Sequence, residues 1–286
     1  MSQKSLSLFD LAPGKTVLDR FAVTKANRAG GMAPTFEVTD TECDEKRELL
    51  VFPAALFETA DQAGDFAETM RQWCAADAPA VVAIREVTPL EDGTTLVLTD
   101  FPPGRSLRDW LNENERMPVK RACRIGLQLL EGLEALHGKE LVHGDIKPMT
   151  IHVTRDHDGV FVDGGVAPAL WSAKHLGDKT QLIGTPYYAP VEQFGGDAAS
   201  VQTDLYNLAT VLFELICGKI PWRGKGFLEV FQEKMEKTPP SMRSVARDVE
   251  VPKEVADAIA GGMMADRQER YASAQEFREK LAAAAG

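Results

Sequence analysis

Apolar and polar residues alternate in short runs between residues 21 and 98, which is the pattern of half-buried β-strands. The third run stops at Pro53, which cannot donate a backbone hydrogen bond to a neighbouring strand. The five predicted strands cover residues 21–24, 35–38, 48–52, 81–84 and 94–98. This part of the chain is therefore predicted to form a sheet.

Helical spacing interrupts this pattern once and then dominates the rest of the chain. Phe66 and Trp73 fall on one face of a helix predicted over residues 62–76. Beyond residue 102, helices are predicted over residues 120–137, 203–218, 253–264 and 273–284. Ser273 and Glu276 have the spacing of a capping box at the start of the last one. The pattern predicts a flexible lead-in (1–17), a strand-rich domain (18–101) and a helical domain (102–286).

The net charge of the chain makes some classes of binding partner less favourable than others. It has 32 basic and 43 acidic residues, a net charge of −11, and an acidic surface disfavours nucleic acid and anionic membranes. Its four cysteines form no C-x-x-C pair and suit a reducing compartment. The N-terminus lacks an apolar signal core, and the apolar run 205–217 is too short to cross a bilayer. We therefore expect a cytoplasmic location and no direct membrane contact within this segment.

Two stretches carry residues with recognisable chemistry. The first reads His143-Gly-Asp145-Ile-Lys147-Pro-Met-Thr150, followed by Asp163-Gly164-Gly. It resembles the catalytic and metal-binding loops of a protein kinase, H-R-D-x-K-x-x-N and D-F-G. The second, residues 184–193, resembles the Gly-Thr-Pro end of a Ser/Thr-type activation segment. The resemblance implies a bilobal α+β fold, with a five-stranded antiparallel small lobe that carries one helix and a larger helical lobe.

The resemblance assigns roles to the residues that are retained. Asp145 would accept the proton of the substrate hydroxyl, Lys147 would stabilise the transferred phosphate, and Asp163 would hold Mg²⁺. A structural role is the alternative for Asp145 and Lys147, which can instead hydrogen-bond the catalytic loop and Thr185. The residues with purely structural roles in the family are Glu192, Asp204 and Arg270.

Other positions depart from the family. Gly144 replaces the arginine that reads activation-loop phosphorylation, and Thr150 replaces the metal-binding asparagine with a weaker ligand. Gly164 replaces the phenylalanine of D-F-G, and we expect Trp73 to lean into the space that this leaves. We also expect a buried ion pair between the side chains of Glu192 and Arg270.

The nucleotide site looks degenerate. No lysine lies between Lys46 and Lys120, where a kinase keeps the lysine that grips ATP, and Phe52 takes that position. Leu50 replaces the small residue that packs on adenine, and Thr69 takes the place of the helix glutamate. The positions assigned to the degenerate site are Gly30, Gly31, Leu50, Phe52, Asp100 and His152.

These losses favour a pseudokinase, a binding or scaffolding module with little or no phosphotransfer. Such a module needs no cofactor, and its partner is another protein. The alternative is an atypical Ser/Thr kinase that uses Asp145, Lys147 and Asp163 with ATP and Mg²⁺ held in a non-standard way. A small-molecule phosphotransferase is disfavoured, because the Gly-Thr-Pro segment serves peptide substrates.

Overall fold

The computed structural model describes residues 5–28, 31–176, 186–236 and 238–286. The described chain divides into two compact units. The small unit comprises the chain up to Asp77 together with residues 82–102 and 169–174. The large unit comprises residues 78–81, 103–168 and 175–286. The boundary predicted near residue 102 is therefore close to one of the observed boundaries. Two short segments, 78–81 and 169–174, however, belong to the other unit from the residues on either side of them.

Six antiparallel strands form the sheet of the small unit, in the order β1-β2-β3-β4-β6-β5. They are β1 Thr16–Val17, β2 Phe21–Ala26, β3 Thr35–Asp40, β4 Glu45–Phe52, β5 Ile84–Pro89 and β6 Thr95–Asp100. Strand β1 was not predicted, because two residues are too few to show alternation. The strand predicted over residues 81–84 begins only at Ile84, since Val81 instead makes an isolated bridge with Phe161 in the large unit.

The segment predicted to be a flexible lead-in folds onto the small unit over residues 5–17. Leu11 and Val17 are buried in an apolar cluster with Val38 and Leu49, on one face of the sheet. The backbone N–H of Leu6 donates to the carboxylate of Asp92 at 3.2 Å. The segment is ordered by contacts with residues distant in sequence. These contacts could not be predicted from the irregular spacing of its own apolar residues.

Helix α1 spans Ala60–Gln72 and is followed by a 3-10 turn over Trp73–Ala75. The helix begins two residues earlier than predicted because the Thr59 side chain caps it by accepting from the N–H of Gln62. Trp73 is buried, as the predicted packing at Gly164 requires, and the contact itself stays a prediction.

After residue 102 the structure is mainly helical. A small sheet joins β7 Arg105–Ser106, β8 Ile151–Val153 and β9 Gly159–Phe161. The helices are α2 Leu107–Asn114, α3 Val119–His137, α4 Val166–Ala173, α5 Val191–Phe194, α6 Val201–Cys217, α7 Phe227–Lys234, α8 Met242–Val245, α9 Lys253–Gly262 and α10 Ala274–Ala285. The four helices predicted from spacing are α3, α6, α9 and α10. Ser273 caps α10, but the Glu276 carboxylate accepts from Ala272 rather than from the cap residue.

Helix α6 is the centre of the large unit, because every residue from Thr203 to Cys217 is buried. Such an apolar helix must be covered on all sides. A Cβ on Gly126 of α3 would lie only 2.9 Å from Leu212, so glycine lets the two helices approach closely. Gly218, at φ +70°, ends the helix in the left-handed conformation. No helix among the described residues is long and apolar enough to span a membrane.

The ion pair expected between Glu192 and Arg270 is present. Arg270 donates to the two carboxylate oxygens of Glu192 at 2.8 and 3.3 Å, and its side chain has no exposed surface. Burial alone would raise the pKa of Glu192, but the hydrogen bond and charge of Arg270 hold it below its usual value. The carboxylate therefore stabilises the fold at neutral pH, and this contribution is lost as the pH falls through the lowered pKa.

Arg270→Met is expected to lower the free energy of unfolding by about 3–5 kcal/mol, because it removes the fully buried one of the two arginines that bind the Glu192 carboxylate. The measurement is urea-induced unfolding followed by circular dichroism. Arg267→Met is the matched control, since Arg267 also binds Glu192 but is 39% exposed; it is expected to cost about 1 kcal/mol or less. Equal effects of the two variants would contradict the prediction.

Candidate functional site

The loop that carries the retained kinase-like residues is anchored to helix α6. The buried carboxylate of Asp204 accepts the backbone N–H groups of His143 and Gly144 at 2.9 and 2.8 Å. It also lies 2.9 Å from the His137 ring nitrogen. The His143 ring contacts the Val162 carbonyl at 3.0 Å, which ties the loop to the strand that precedes Asp163. The loop is therefore held by groups of the fold itself.

Gly144 occupies a position where a larger residue does not fit. Its φ is +81°, in the left-handed region, and a Cβ there would lie 2.3 Å from the ring of Pro168. Both the backbone and the proline ring therefore exclude the arginine that the family has at this position.

Asp145 and Lys147 lie together. The Lys147 ammonium is 2.6 Å from an Asp145 carboxylate oxygen, and both side chains are about nine-tenths buried (10% and 12% exposed). The two charges neutralise each other, so this geometry suits the structural role as well as the catalytic one. Thr185, which would be their hydrogen-bond partner, lies outside the described residues, as does Gly30.

The Thr150 hydroxyl is used within the same loop. It donates to the carbonyl of Asp145 at 2.7 Å and accepts from the N–H of Lys147 at 3.1 Å. The side chain is buried. These bonds close the turn at the position predicted for the family's asparagine. They also use the Thr150 hydroxyl oxygen, which is the atom that would have to bind a metal ion.

The remaining predicted residues of the large unit lie on β8 and on the loop after β9. His152 is buried, and its ring lies 3.1 Å from the Pro103 carbonyl. Asp163 has a φ of +60°, which aspartate tolerates better than most residues. Gly164 follows it, and the N–H of Gly165 then donates to the His143 carbonyl at 3.2 Å, which joins the two loops.

In the small unit, the predicted nucleotide positions on β4 are core residues. Glu48, Leu50 and Phe52 alternate along the strand and so share one face. Phe52 has no exposed surface, and its ring centroid lies 4.6 Å from that of Phe66 on α1. The ring centroid of Phe57 also lies 5.4 Å from that of Phe66. The position predicted for the lysine that grips ATP is therefore part of an aromatic cluster.

A buried ion pair lies on the same face of β4. Both Nε and Nη2 of Arg28 donate to the Glu48 carboxylate at 2.8 Å, and the Asn27 amide adds a third bond at 2.6 Å. Glu48 is 1% exposed and Arg28 15%. The Thr35 hydroxyl accepts from the N–H of Arg28, which fixes the end of β2. One feature of the sequence could have indicated this pair: Glu48 directly precedes the apolar run of residues 49–52 in β4.

Two further predicted positions of the small unit, Asp100 and Thr69, are partly exposed. Asp100, at the end of β6, binds Arg85 at 2.8 Å and also pairs with Arg47. Thr69 donates to the backbone carbonyl of Asp65, so it provides no carboxylate on α1. Thr69 therefore has no charge that could hold a lysine, and the Asp100 carboxylate is already bound by two arginines.

A hydrogen-bonded group of three side chains in the large unit, Tyr188, Glu214 and the partly exposed Arg108, was not predicted from the sequence. The Tyr188 hydroxyl donates to Glu214 at 2.6 Å, and Arg108 binds the same carboxylate at 3.0 Å. Burial raises the pKa of Tyr188, with the Glu214 charge adding to the effect, so the hydroxyl stays protonated and can donate. Arg108 and Glu214 line a cavity of about 500 Å³. The feature of the sequence that could have indicated this group is Glu214, because a carboxylate within the apolar helix α6 needs a partner.

The family model described as "Protein kinase domain" matches residues 66–281, more than half of the chain. The chain therefore belongs to the protein kinase family. The matched range begins on α1, so strands β2, β3 and β4, with Arg28, Glu48 and Phe52, lie before it.

Similar curated proteins are bacterial. The probable serine/threonine-protein kinase PknB of Lactococcus lactis is 26% identical over 270 residues, which is 94% of this chain and 42% of that protein. The serine/threonine-protein kinase PrkC of Bacillus subtilis is 25% identical, over 92% of this chain and 40% of that protein. The chain thus spans less than half the length of these relatives. The crystal structure of the Mycobacterium tuberculosis PknI kinase domain matches 96% of this chain with a TM-score of 0.74 and 17% identity, which supports the fold alone.

Arg28→Met is expected to destabilise the small unit by about 3–5 kcal/mol, because the buried Glu48 carboxylate loses its bidentate partner. Hydrogen exchange of the β3 and β4 amides measures this loss. Arg85→Met is the control, since Arg85 binds Asp100 with the same fork but is 52% exposed; about 1 kcal/mol or less is expected there. If the amides are equally protected in the two variants, the pair has no such role.

Proposed function

We propose that this kinase-family domain works as a pseudokinase, a module that binds another protein and transfers little or no phosphate. The observation that carries the proposal is the buried Arg28–Glu48 ion pair on the face of β4 that also bears Leu50 and Phe52. In the family, this face presents the lysine and the small residue that contact ATP. Here it presents a salt bridge and two large apolar side chains.

The charges of this face support the same proposal. A kinase lysine offers its ammonium to phosphate while a glutamate holds it in place. Arg28 is instead bound by both oxygens of Glu48, and that carboxylate would repel a triphosphate. No lysine between Lys46 and Lys120 offers a replacement. The residues of the small unit therefore fit Mg-ATP poorly.

The large unit supports the proposal in a second way. Thr150 uses its hydroxyl to close its own loop, and Gly144 removes the family's link to activation-segment phosphorylation. Asp145 and Lys147 neutralise each other at 2.6 Å. A pseudokinase of this kind requires no cofactor. Its net charge of −11 disfavours nucleic acid as the partner, and its four free cysteines suit the cytoplasm.

The second candidate function is an atypical Ser/Thr kinase. It is favoured by the presence of Asp145, Lys147 and Asp163, and by the names of the relatives. This candidate needs Mg-ATP, with Asp163 as a metal ligand and a cation other than the usual lysine on the phosphates. Because both candidates share the fold, only binding and transfer measurements separate them.

Calorimetric titration with ATP and Mg²⁺ is expected to give no binding heat at millimolar nucleotide. The PrkC kinase domain is the positive control for the titration. Radiolabel transfer from ATP to the domain or to a general protein substrate is expected to stay at background. Micromolar affinity, or transfer that disappears in Asp145→Asn and Asp163→Asn, would overturn the proposal, and such transfer would establish the kinase.

Phe52→Lys alone is expected to restore neither ATP binding nor transfer. It places an ammonium in the aromatic cluster with Phe66, and we expect it to destabilise the domain by about 3 kcal/mol or more. Phe52→Met is the control, which keeps an apolar side chain of similar volume and should cost less. Thermal unfolding with and without Mg-ATP provides the measurement. A rise in Tm with nucleotide for Phe52→Lys would contradict the expectation.

A further inference from the structure

A pocket of about 390 Å³ lies in the small unit, between the start of helix α1 and the turn that joins β5 to β6. Its apolar lining includes Phe57, Ala63 and Leu90, whose side chains are buried. A concave site of this size with an apolar lining is typical of pockets for small organic molecules. None of the positions assigned to the degenerate nucleotide site lines it, so the pocket is a separate feature of the domain.

The walls of the pocket are fixed by bonds within the small unit. In the turn between β5 and β6, the N–H of Leu90 donates to the Thr94 carbonyl at 2.8 Å, and the N–H of Gly93 donates to the Leu90 carbonyl at 3.1 Å. A Cβ on Gly93 would lie 3.4 Å from that of Ala54, so the turn closely approaches the chain that follows β4. The pocket is therefore preformed, and a ligand would order little of the protein when it binds.

Gly64 leaves the mouth of the pocket open. It is an interior residue of α1 (Ala60–Gln72), where glycine destabilises a helix relative to alanine. Apart from the backbone of the helix itself, a Cβ built on Gly64 would have no described atom within 4 Å, so close packing does not explain the glycine. The residue is exposed and lines the pocket. The missing side chain thus keeps the pocket accessible at a cost to the helix.

The charged side chains that line the pocket are all acidic. They are Glu58 on the α1 side and Glu91 and Asp92 in the turn. The sequence has no lysine or arginine over residues 53–70 or 86–104, the two stretches that contain the lining. Three carboxylates around one small pocket create a negative potential there, which attracts a cation and repels an anion.

Cations on the neighbouring elements do not cancel this charge. The Lys174 ammonium donates at 2.9 Å to the carbonyl of Leu56, which neighbours the lining in the chain. Lys4 lies outside the described residues. With Lys174 included, three carboxylates stand against one ammonium. The other cations of α1, β5 and the N-terminal segment each lie near a carboxylate outside the lining: Arg71 near Glu68, Arg85 near Asp100, and Lys15 near Asp10.

We propose that this pocket binds a small organic cation, an ammonium carried on an apolar body about the size of an indole. The apolar lining accepts the body, and the carboxylates select the charge. A protein segment would need apolar surface beyond the pocket. The large apolar side chains that stand out as exposed among the described residues do not line it: Phe9, Phe227, Leu228 and Met235. The inference does not depend on whether the domain transfers phosphate.

The test compares two ligands that share one apolar body. Tryptamine carries an ammonium and indole-3-propionate a carboxylate, each at the end of a two-carbon chain on the same indole. The amide signals of Gly64 and Gly93 in the isotope-labelled domain report binding at the pocket by nuclear magnetic resonance. Tryptamine is expected to give saturable shifts with a Kd of about 1 mM or tighter. Indole-3-propionate is expected to bind at least about tenfold more weakly.

Two variants separate the shape of the pocket from its charge. Gly64→Leu places a side chain in the mouth and should weaken tryptamine binding at least about tenfold, as reported by Gly93. Gly226→Leu is the matched control, because a Cβ there also meets no described atom within 4 Å but lies in the large unit, and it should leave the affinity unchanged. Glu58→Gln combined with Glu91→Gln should lower the preference for tryptamine at least about threefold.

Circular dichroism melts establish that each variant is folded, and the glutamine variant decides the question if Gly64→Leu is not. Equal affinity for the two ligands, undiminished tryptamine binding by folded Gly64→Leu, or an unchanged preference in the glutamine variant would overturn the inference. So would a lysine-tryptophan-lysine peptide that binds more than about tenfold tighter than tryptamine, because the occupant would then be a protein segment.

Discussion

One buried carboxylate, that of Asp204, holds the loop on which the kinase-like residues stand. It accepts two backbone N–H groups from that loop and contacts His137, and it is carried by a helix with no exposed side. The loop can therefore move only if the centre of the large unit moves. The same loop carries Asp145 and Lys147, so the positions of these two side chains depend on this anchor. Their presence is therefore compatible with a structural role as well as with a catalytic one.

The features that could be predicted from the sequence were those that depend on the spacing of nearby residues or on short motifs. Helices α3, α6, α9 and α10 follow from apolar spacing, because a helix brings residues three and four apart onto one face. The Glu192–Arg270 pair followed from two motifs whose order and spacing recur in the family. The resemblance also placed Phe52 on the right strand, and its complete burial agrees with an apolar residue at that point.

The features that were missed depend on partners distant in sequence. Arg28 and Glu48 are 20 residues apart, and only the pairing of β2, β3 and β4 brings them together. From the sequence, Lys234 would be expected on the surface, because no residue near it in the chain indicates that backbone carbonyls and aromatic rings surround its side chain. Val17 is buried by strands that follow it. The spacing of apolar residues does not predict such contacts, since it indicates which secondary-structure element forms and not which residues pack against that element.

Gly144 has a consequence for how this domain can change over time. An arginine there would have to adopt a left-handed backbone and displace the ring of Pro168. An arginine at this position is therefore expected to need a second change, either at Pro168 or in the backbone of the loop. Relatives that share this loop backbone are expected to keep the glycine wherever they keep the proline.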